Sequence, residues 1–385
     1  MKAAAEMKAT AAWLRGRTVR DLVAEKRRLV EVPYTATLSH TMNALLANNV
    51  VAVPVAAPPG HWIGAGGSMI LESDRVTGAV RKHYIGMVTM LDILSHIAEF
   101  DRGGAIGGGG EGEVAAEEEE VDVDEKMSVP VSSVIGHSLE GLSLWTLNPN
   151  TSILDCMEAF SKGVHRALVP LDSHSGNVAG VELAEAASAY RMLTQMDVLR
   201  FLKTHDTILN GIMLQTVEQL GAINEDVFCV TKNTSVIEAI KWMRSASLTA
   251  VPIIEASEPV DDNTLINGKG RKLISTFTST DLRGCPTHLL QSWLSIGVEE
   301  FKERVSELQC TTAIITGDLN HRSKKLVTCY ADTILGEVIK EAIDWHMHRV
   351  WVVDQHGLLV GLISLTDMLR VVREAALAEE DDDIA

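Results

Sequence analysis

Few of the features that signal chemistry or a membrane are present in this chain. Its five cysteines (Cys156, Cys229, Cys285, Cys310 and Cys329) are odd in number and scattered, with no Cys-x-x-Cys pair. That argues against a disulfide framework or a zinc site and fits a reducing compartment. No apolar run approaches the roughly 20 residues that a membrane helix needs, so no membrane partner is expected. There is no nucleophile elbow, no Ser-His-Asp order that the fold would support and no pair of catalytic carboxylates, so no enzymatic activity is expected. Basic charge is scarce, with 34 Lys and Arg against 52 Asp and Glu, and no stripe of it would hold nucleic acid.

The acidic excess is concentrated in two places. Of the net −18, residues 101–126 carry −8 and residues 374–385 carry −6, which leaves −4 for the rest. The first segment contains the run Gly107–Gly110 and buries too little apolar surface to order itself, so a disordered Gly/Glu-rich linker is expected over 101–127. The second reads as an acidic tail over 375–385. Docking to a basic partner is the alternative for both, but composition favours solvated low-complexity sequence. The Ala-rich start with Lys2, Lys8, Arg15 and Arg17 reads as a lead-in helix over 1–16. Glu6 and the scarcity of Ser argue against a transit peptide.

What the chain does have is repetition. Four times an apolar strand runs into Thr/Ser-x-x-Asp at a helix start: Thr89 to Asp92, Thr194 to Asp197, Thr278 to Asp281 and Ser364 to Asp367. Upstream of each stands an amphipathic helix and a strand, reading Val-Ala-Val-Pro-Val (51–55), Ala-Leu-Val-Pro-Leu (167–171), Ala-Val-Pro-Ile-Ile (250–254) and Val-Trp-Val-Val-Asp (350–354). Thr35, Thr151, Thr234 and Thr333 are expected to cap these helices. They lie 19, 19, 18 and 20 residues ahead of Pro54, Pro170, Pro252 and Val353. From there to the Asp the spacing varies, at 38, 27, 29 and 14 residues, so insertions fall between two adjacent strands. Three copies share a lead-in of Val followed three residues later by an aliphatic residue (Val19/Leu22, Val131/Val134, Val217/Leu220), and the fourth is sought within 310–325. Repeats of this kind dictate the whole fold.

Each Thr/Ser-x-x-Asp has two readings. One is a capping box, with the carboxylate in the first turn complementing the helix dipole. The other is a ligand site, in which a carboxylate at a helix start takes both hydroxyls of a ribose while free amides receive phosphate. Capping explains any single copy, and recurrence at four equivalent junctions favours a ligand role for some. The pairs His165-Arg166 and His348-Arg349 also recur, each expected to end a helix just before the strand. They read either as cations at a helix C-terminus or as bidentate phosphate ligands.

On these residues the unit resembles the cystathionine-β-synthase (CBS) domain. Four in tandem resemble the gamma regulatory subunits of the AMP-activated and SNF1-related protein kinases. The segments Arg28–Leu38, Ala56–Gly67 and Val350–Gln355 resemble the plant gamma-like subunits in particular. The likeness spans about residues 17 to 374. It implies an α/β fold of four CBS repeats, 1 with 2 and 3 with 4, forming two Bateman modules in a pseudo-symmetric disc. The implied segments are CBS 1 (17–100), CBS 2 (128–205), CBS 3 (212–285), a connector (286–321) and CBS 4 (322–374). It further implies that Asp92, Asp197, Asp281 and Asp367 contact ribose, with Thr89, Thr194, Thr278 and Ser364 lining the same sites, and that His165, Arg166, His348 and Arg349 hold phosphate.

The implied ligand is AMP, ADP or ATP, with no cofactor required. The implied partners are a kinase catalytic (alpha) subunit and a beta-type scaffold, in the cytoplasm and also the nucleus. Two alternatives are a nucleotide-independent CBS scaffold and a CBS sensor for another enzyme or a transporter. The chain departs from the family at Asn49-Val50-Val51-Ala52, where repeat 1 has no cation, and at Gln195-Met196, where basic residues are replaced. Asp197 stands where animal gamma subunits carry a basic residue. A thin positive lining is therefore expected. Gly64–Ser68 lacks the Gly-Lys-Thr/Ser of a phosphate loop and reads as a hairpin, with Trp62 a candidate partner contact. His346 and His348, two apart on the expected helix, make a poor metal pair.

Overall fold

The computed structural model describes residues 10–57, 83–99, 123–135, 144–171, 190–255, 265–285, 289–316 and 325–381. A short lead-in helix α1 (Val19–Val23) precedes the first repeat: β1 (Val32–Pro33), α2 (Leu38–Ala47), β2 (Ala52–Ala57), β3 (His83–Thr89) and α3 (Met90–Glu99). After α4 (Val123–Met127) the second has β4 (Trp145–Thr146), α5 (Ile153–Ser161), β5 (Arg166–Pro170), β6 (Tyr190–Thr194) and α6 (Gln195–Thr204). A short helix α7 (Asn210–Met213) leads to the third, with β7 (Phe228–Thr231), α8 (Val236–Ser245), β8 (Ala250–Ile254), β9 (Ile266–Asn267) and β10 (Leu273–Thr278). Helices α9 (Leu290–Leu294) and α10 (Val298–Thr316) follow, and then β11 (Thr328–Cys329), α11 (Leu335–Asp344), β12 (Arg349–Val353), β13 (Leu359–Ser364) and α12 (Leu365–Asp381).

In every repeat the short first strand pairs parallel to the second, which pairs antiparallel to the third. The parallel ladder is only two residues long, for example Val32 with Val55 and Pro33 with Ala56. Pro54, Pro170 and Pro252 all fall outside it, so their missing amide protons break no bond to the first strand.

The caps differ from expectation. Thr37, Ser152 and Ser235 are the N-cap residues whose side chains accept from the backbone three positions on. At the fourth helix Ile334 holds that place without a side-chain cap. Thr234 and Thr333 instead brace the preceding turn, accepting from the amides of Thr231 and Tyr330 at 3.1 and 3.0 Å. A threonine can stabilise either structure, and spacing alone does not separate them.

The lead-ins are exchanged between partners. Val19 N donates to Thr151 O and Ile153 N to Arg17 O, so the segment before repeat 1 sits on the helix of repeat 2. Val131 N donates to Ala36 O and Leu38 N to Val129 O, which returns the exchange. Val217 with Thr333, and Leu335 with Gln215, repeat it for the other pair. The fourth lead-in is Ile296–Val298, not a segment within 310–325: Val298 N donates to Thr234 O and Val236 N to Ile296 O. Val298 and Phe301 have the same three-residue spacing as the other lead-ins. The long helix α10, grown inside the expected connector (286–321), separates them from β11. The expected linker is also shorter than 101–127. Val123–Met127 is helical, with Met127 buried and Lys126 Nζ donating to Ile97 O at 3.2 Å. The remainder of that linker, Gly64–Ser68, Trp62, most of the lead-in 1–16 and the last four residues of the acidic tail lie outside the described residues.

Two large cores cross between the pairs. One joins the helices of repeats 2 and 4 around Phe160, Leu199, Ile339 and Leu369. The other joins repeats 1 and 3 around Leu38, Ile93, Ile240 and Phe301. Within each pair the sheets meet over smaller clusters, Tyr84 with Leu168 and Tyr190 in one and Cys229 with Trp351 and Leu359 in the other. Tyr84 meets Tyr190 edge-on at 6.0 Å and its hydroxyl donates to Glu31 at 2.6 Å. Trp351, 1% exposed, donates its indole N–H to Thr276 Oγ1. Repeats 1 and 2 are thus paired through lead-ins and sheets, whereas the larger apolar burial ties 1 to 3 and 2 to 4.

Candidate nucleotide site in the central cavity

The four helix-to-strand corners share one backbone feature. Asn49, Gly163, Ser247 and His346 each stand three residues before a second strand, with φ of 49°, 95°, 54° and 52°. The left-handed residue turns the chain sharply, so the next residues point toward the middle of the molecule. Glycine takes this conformation at no steric cost, while Asn, Ser and His bear a small one. The corners converge on a cavity of about 1310 Å³ lined from all four repeats.

The His-Arg pairs lie just past two of these corners. Helices α5 and α11 end at Ser161 and Asp344, so neither pair ends a helix as expected. Arg166 and Arg349 are instead the first residues of β5 and β12. His346 and His348 are likewise in the corner and not on a helix. At the same position repeats 1 and 3 have Val51-Ala52 and Thr249-Ala250. Arg349 crosses to the second of these, donating to Ala250 O at 2.8 Å and Thr249 Oγ1 at 3.2 Å.

Each member of the cluster perturbs the others. His348 is open to the cavity yet deep in the molecule, and its pKa is pushed down to about 4 by burial first and then by Arg166, His165, Arg349 and Arg283. Burial and Arg349 lower that of His165. Burial takes Arg166 and Arg349 down to about 10, opposed by the carboxylates of Asp92 and Asp367 respectively. Arginine at that value remains charged at neutral pH. The cluster therefore presents fixed guanidinium charge with two neutral imidazoles beside it, an arrangement that an oxyanion would relieve.

All four Asp residues cap. Thr89, Thr194, Thr278 and Ser364 each donate both amide and hydroxyl to the Oδ2 of the Asp three positions on, at 2.6 to 2.9 Å. This loads one carboxylate oxygen and leaves Oδ1 outside the box. Thr89, Asp92, Thr194, Asp197, Ser364 and Asp367 line the cavity together with both His-Arg pairs. Thr278 and Asp281 do not. Asp281 is 4% exposed, and its junction is a 3-10 turn (Asp281–Gly284) where an α-helix was expected. Gly284 is a poor helix former, and Pro286 favours the extended backbone seen at Cys285, φ −87° and ψ 120°. Asp197 has a competitor, since Lys26 Nζ makes an ion pair with its Oδ2.

The lining is more positive than the sequence suggested. Besides Arg166 and Arg349, the wall includes Lys26, Arg27, Arg28, Lys162, Arg200, Arg244 and Arg283, nine cations in all against the four carboxylates of Asp92, Asp197, Asp226 and Asp367. Comparing the repeats finds some of them: Arg200 follows Asp197 by three residues, and Arg27 and Arg28 stand in the approach to β1. Arg200 reaches His346 Nδ1 at 3.0 Å and Arg283 reaches Asn49 Oδ1 at 3.2 Å, each bridging facing repeats at a left-handed corner. Among the described residues no His, Cys, Asp and Glu cluster could hold a metal ion, and no helix is long and apolar enough to cross a membrane. Four of the five thiols are buried, and burial pushes each up to about 12, so they behave as small apolar side chains.

Comparison with known proteins agrees with this architecture. The CBS domain family matches residues 317–374. The SNF1-related protein kinase regulatory subunit gamma-like PV42a of Arabidopsis thaliana is 51% identical over 362 residues, spanning 92% of this chain and 94% of that protein. The chain belongs to the SNF1-related protein kinase gamma-like subunits. PV42b of the same plant is 49% identical over 365 residues, 94% of this chain and 96% of its own. The 5'-AMP-activated protein kinase subunit gamma-3 of Sus scrofa is 24% identical over 232 residues, 60% of this chain and 38% of that subunit. For the fold alone, the crystal structure of protein MJ1225 from Methanocaldococcus jannaschii superposes with a TM-score of 0.57 at 17% identity, covering 92% of this chain and 99% of the other. In this gamma-like subunit the cavity, its corners and its capping boxes are thus features of a four-CBS-repeat architecture.

Proposed function

We propose that this gamma-like chain is a non-catalytic regulatory subunit of an SNF1-related kinase complex and that its central cavity takes an adenine nucleotide. The observation that carries the reading is the convergence of His165, Arg166, His348 and Arg349 from two repeats on one central cavity, beside the carboxylates of Asp92 and Asp367. Fixed guanidinium charge suits phosphate, and a second oxygen on each capping Asp suits a ribose hydroxyl. The partners this reading calls for are a kinase catalytic (alpha) subunit and a beta-type scaffold, in the cytoplasm and nucleus. Calorimetry with AMP, ADP and ATP on the full chain tests the ligand, and co-purification from plant cells tests the partners. Binding that weakens in Arg166→Ala and Arg349→Ala supports the reading. A clean negative with all three nucleotides overturns its ligand half.

One observation favours a second reading, a nucleotide-independent scaffold. Every Asp of the four junctions is already a cap, and Lys26 occupies Asp197 as well. Kinase subunits recovered with a chain that binds no nucleotide would favour the scaffold.

A further inference from the structure

The repeats agree closely at a position that the capping boxes do not use. Two residues past the Asp stand Leu94, Leu199 and Leu369, each with no exposed surface. Repeat 3 has Arg283 there. A guanidinium at a core position is costly unless it is paired or has another role. The 3-10 turn resolves the conflict: Leu282 stays buried like Ile93, Val198 and Met368 at the same place, while Arg283 leaves the leucine position and lines the central cavity.

There Arg283 is only partly used. Its Nη1 donates to Asn49 Oδ1 at 3.2 Å, while its Nε is buried with no hydrogen-bond partner. The Asp281 carboxylate offsets part of the cost of burying this guanidinium, but its Oδ2 is taken by Thr278 and it does not line the cavity. Arg283 is close enough to act on His348 together with Arg166 and Arg349. It thus joins Arg27, Arg28 and Arg244 on the side of the cavity where the corners Val51-Ala52 and Thr249-Ala250 carry no charge, and it is the one of these that acts on His348. Three planar forks then approach from repeats 2, 3 and 4. A single phosphate group would have to share its three terminal oxygens among all three forks, whereas a chain of phosphates offers each fork oxygens of its own.

We propose that Arg283 is an anion-binding residue of the central cavity, completing with Arg166 and Arg349 a three-guanidinium site selective for a chain of two or three phosphates over one. The proposal rests on the nucleotide reading above. Arg283→Leu restores the residue of the other three repeats, and Arg283→Lys keeps the charge without the fork. Calorimetry with AMP and ATP, beside a thermal melt, tests both on the full chain. The Leu variant should bind ATP about ten- to a hundredfold more weakly, the scale of one charged hydrogen bond, and AMP within roughly threefold of the parent. Its melting temperature should be unchanged or higher, and the Lys variant should lie between it and the parent. Equal loss for AMP and ATP, or no loss for either, overturns the proposal. If the Leu variant does not fold, an unchanged ATP-to-AMP ratio in the Lys variant overturns it. A parent chain that binds neither nucleotide removes the nucleotide reading itself, whereas a binding parent matched by both variants removes the assignment of Arg283 alone.

Discussion

Repeats 2 and 4 and repeats 1 and 3 use one backbone corner for opposite purposes. In the even pair the residues after the left-handed position are His165-Arg166 and His348-Arg349, and in the odd pair they are Val51-Ala52 and Thr249-Ala250. In all four the second strand starts opposite the Thr or Ser of the capping box: Ala52 with Thr89, Arg166 with Thr194, Ala250 with Thr278 and Arg349 with Ser364. The fold therefore fixes where a side chain will point, and the sequence at that point decides whether it carries charge. Arg349 leans across this divide, its guanidinium held by the carbonyl and hydroxyl of the odd repeat beside it.

Breaking that lean should have the largest effect. Arg349→Ala is expected to lower nucleotide affinity by about 1.5–3 kcal/mol, as for a charged hydrogen bond, and to cost about 1 kcal/mol or more of stability through the abandoned Ala250 carbonyl. Calorimetry and denaturant melts on one preparation check both, and a silent variant would mean the even repeats do not own the site. Asp92→Ala in the odd pair should remove a cap worth about 1 kcal/mol and relax the field on Arg166, with a smaller affinity loss than Arg349→Ala. The reverse order of affinities would invert the comparison.

The odd-even contrast also predicts a pH response. Folding depresses the pKa of His348 from 6.5 to about 4. The unfolded chain therefore takes up the proton first, so the contribution to stability is complete above pH 6.5 and falls away as pH drops toward 4. His348→Asn should flatten the melting temperature over that window, while a parent curve already flat there would contradict the assignment. A phosphate beside the ring offsets the guanidinium field, so binding should draw in protons between those limits. Calorimetry in two buffers of different ionisation enthalpy measures that uptake.

Smaller effects sharpen the picture. Lys26→Met should cost about 1 kcal/mol or less, since the pair with Asp197 is partly wetted, and it should open repeat 2 to ligand. No gain of binding would mean that Asp197 only caps. Asp367→Asn keeps an acceptor in the capping box but loses the charge that faces the helix start and Arg349, so it should cost about 1 kcal/mol or less of stability. An affinity drop of about 1–3 kcal/mol in the same variant would mark a ribose contact.

The four-repeat fold was legible because strand, corner and Thr/Ser-x-x-Asp are local patterns that recur. What escaped was non-local. The fourth lead-in at Val298 is hidden behind a long helix that the other lead-ins lack. The caps fell a residue or two late because Thr234 and Thr333 serve the turn before the helix. The positive wall was missed because Arg27, Arg200 and Arg283 come to one cavity only when distant corners close on one another. Arg283 was visible as the odd member of an otherwise leucine column, but only a count of offsets from the Asp brings it out.

The exchanged lead-ins set a timetable for the chain as it is made. Val19 settles on Thr151, so this segment must wait for about 130 further residues, on the order of ten seconds at the usual pace of synthesis. The wait repeats between Val217 and Thr333. Until then Val19, Val23 and Leu14 have no partner core to enter. The lead-ins thus settle pair by pair, and a stall or truncation inside an even repeat strands the apolar lead-in of its predecessor, a surface that chaperones and proteases would read as unfinished.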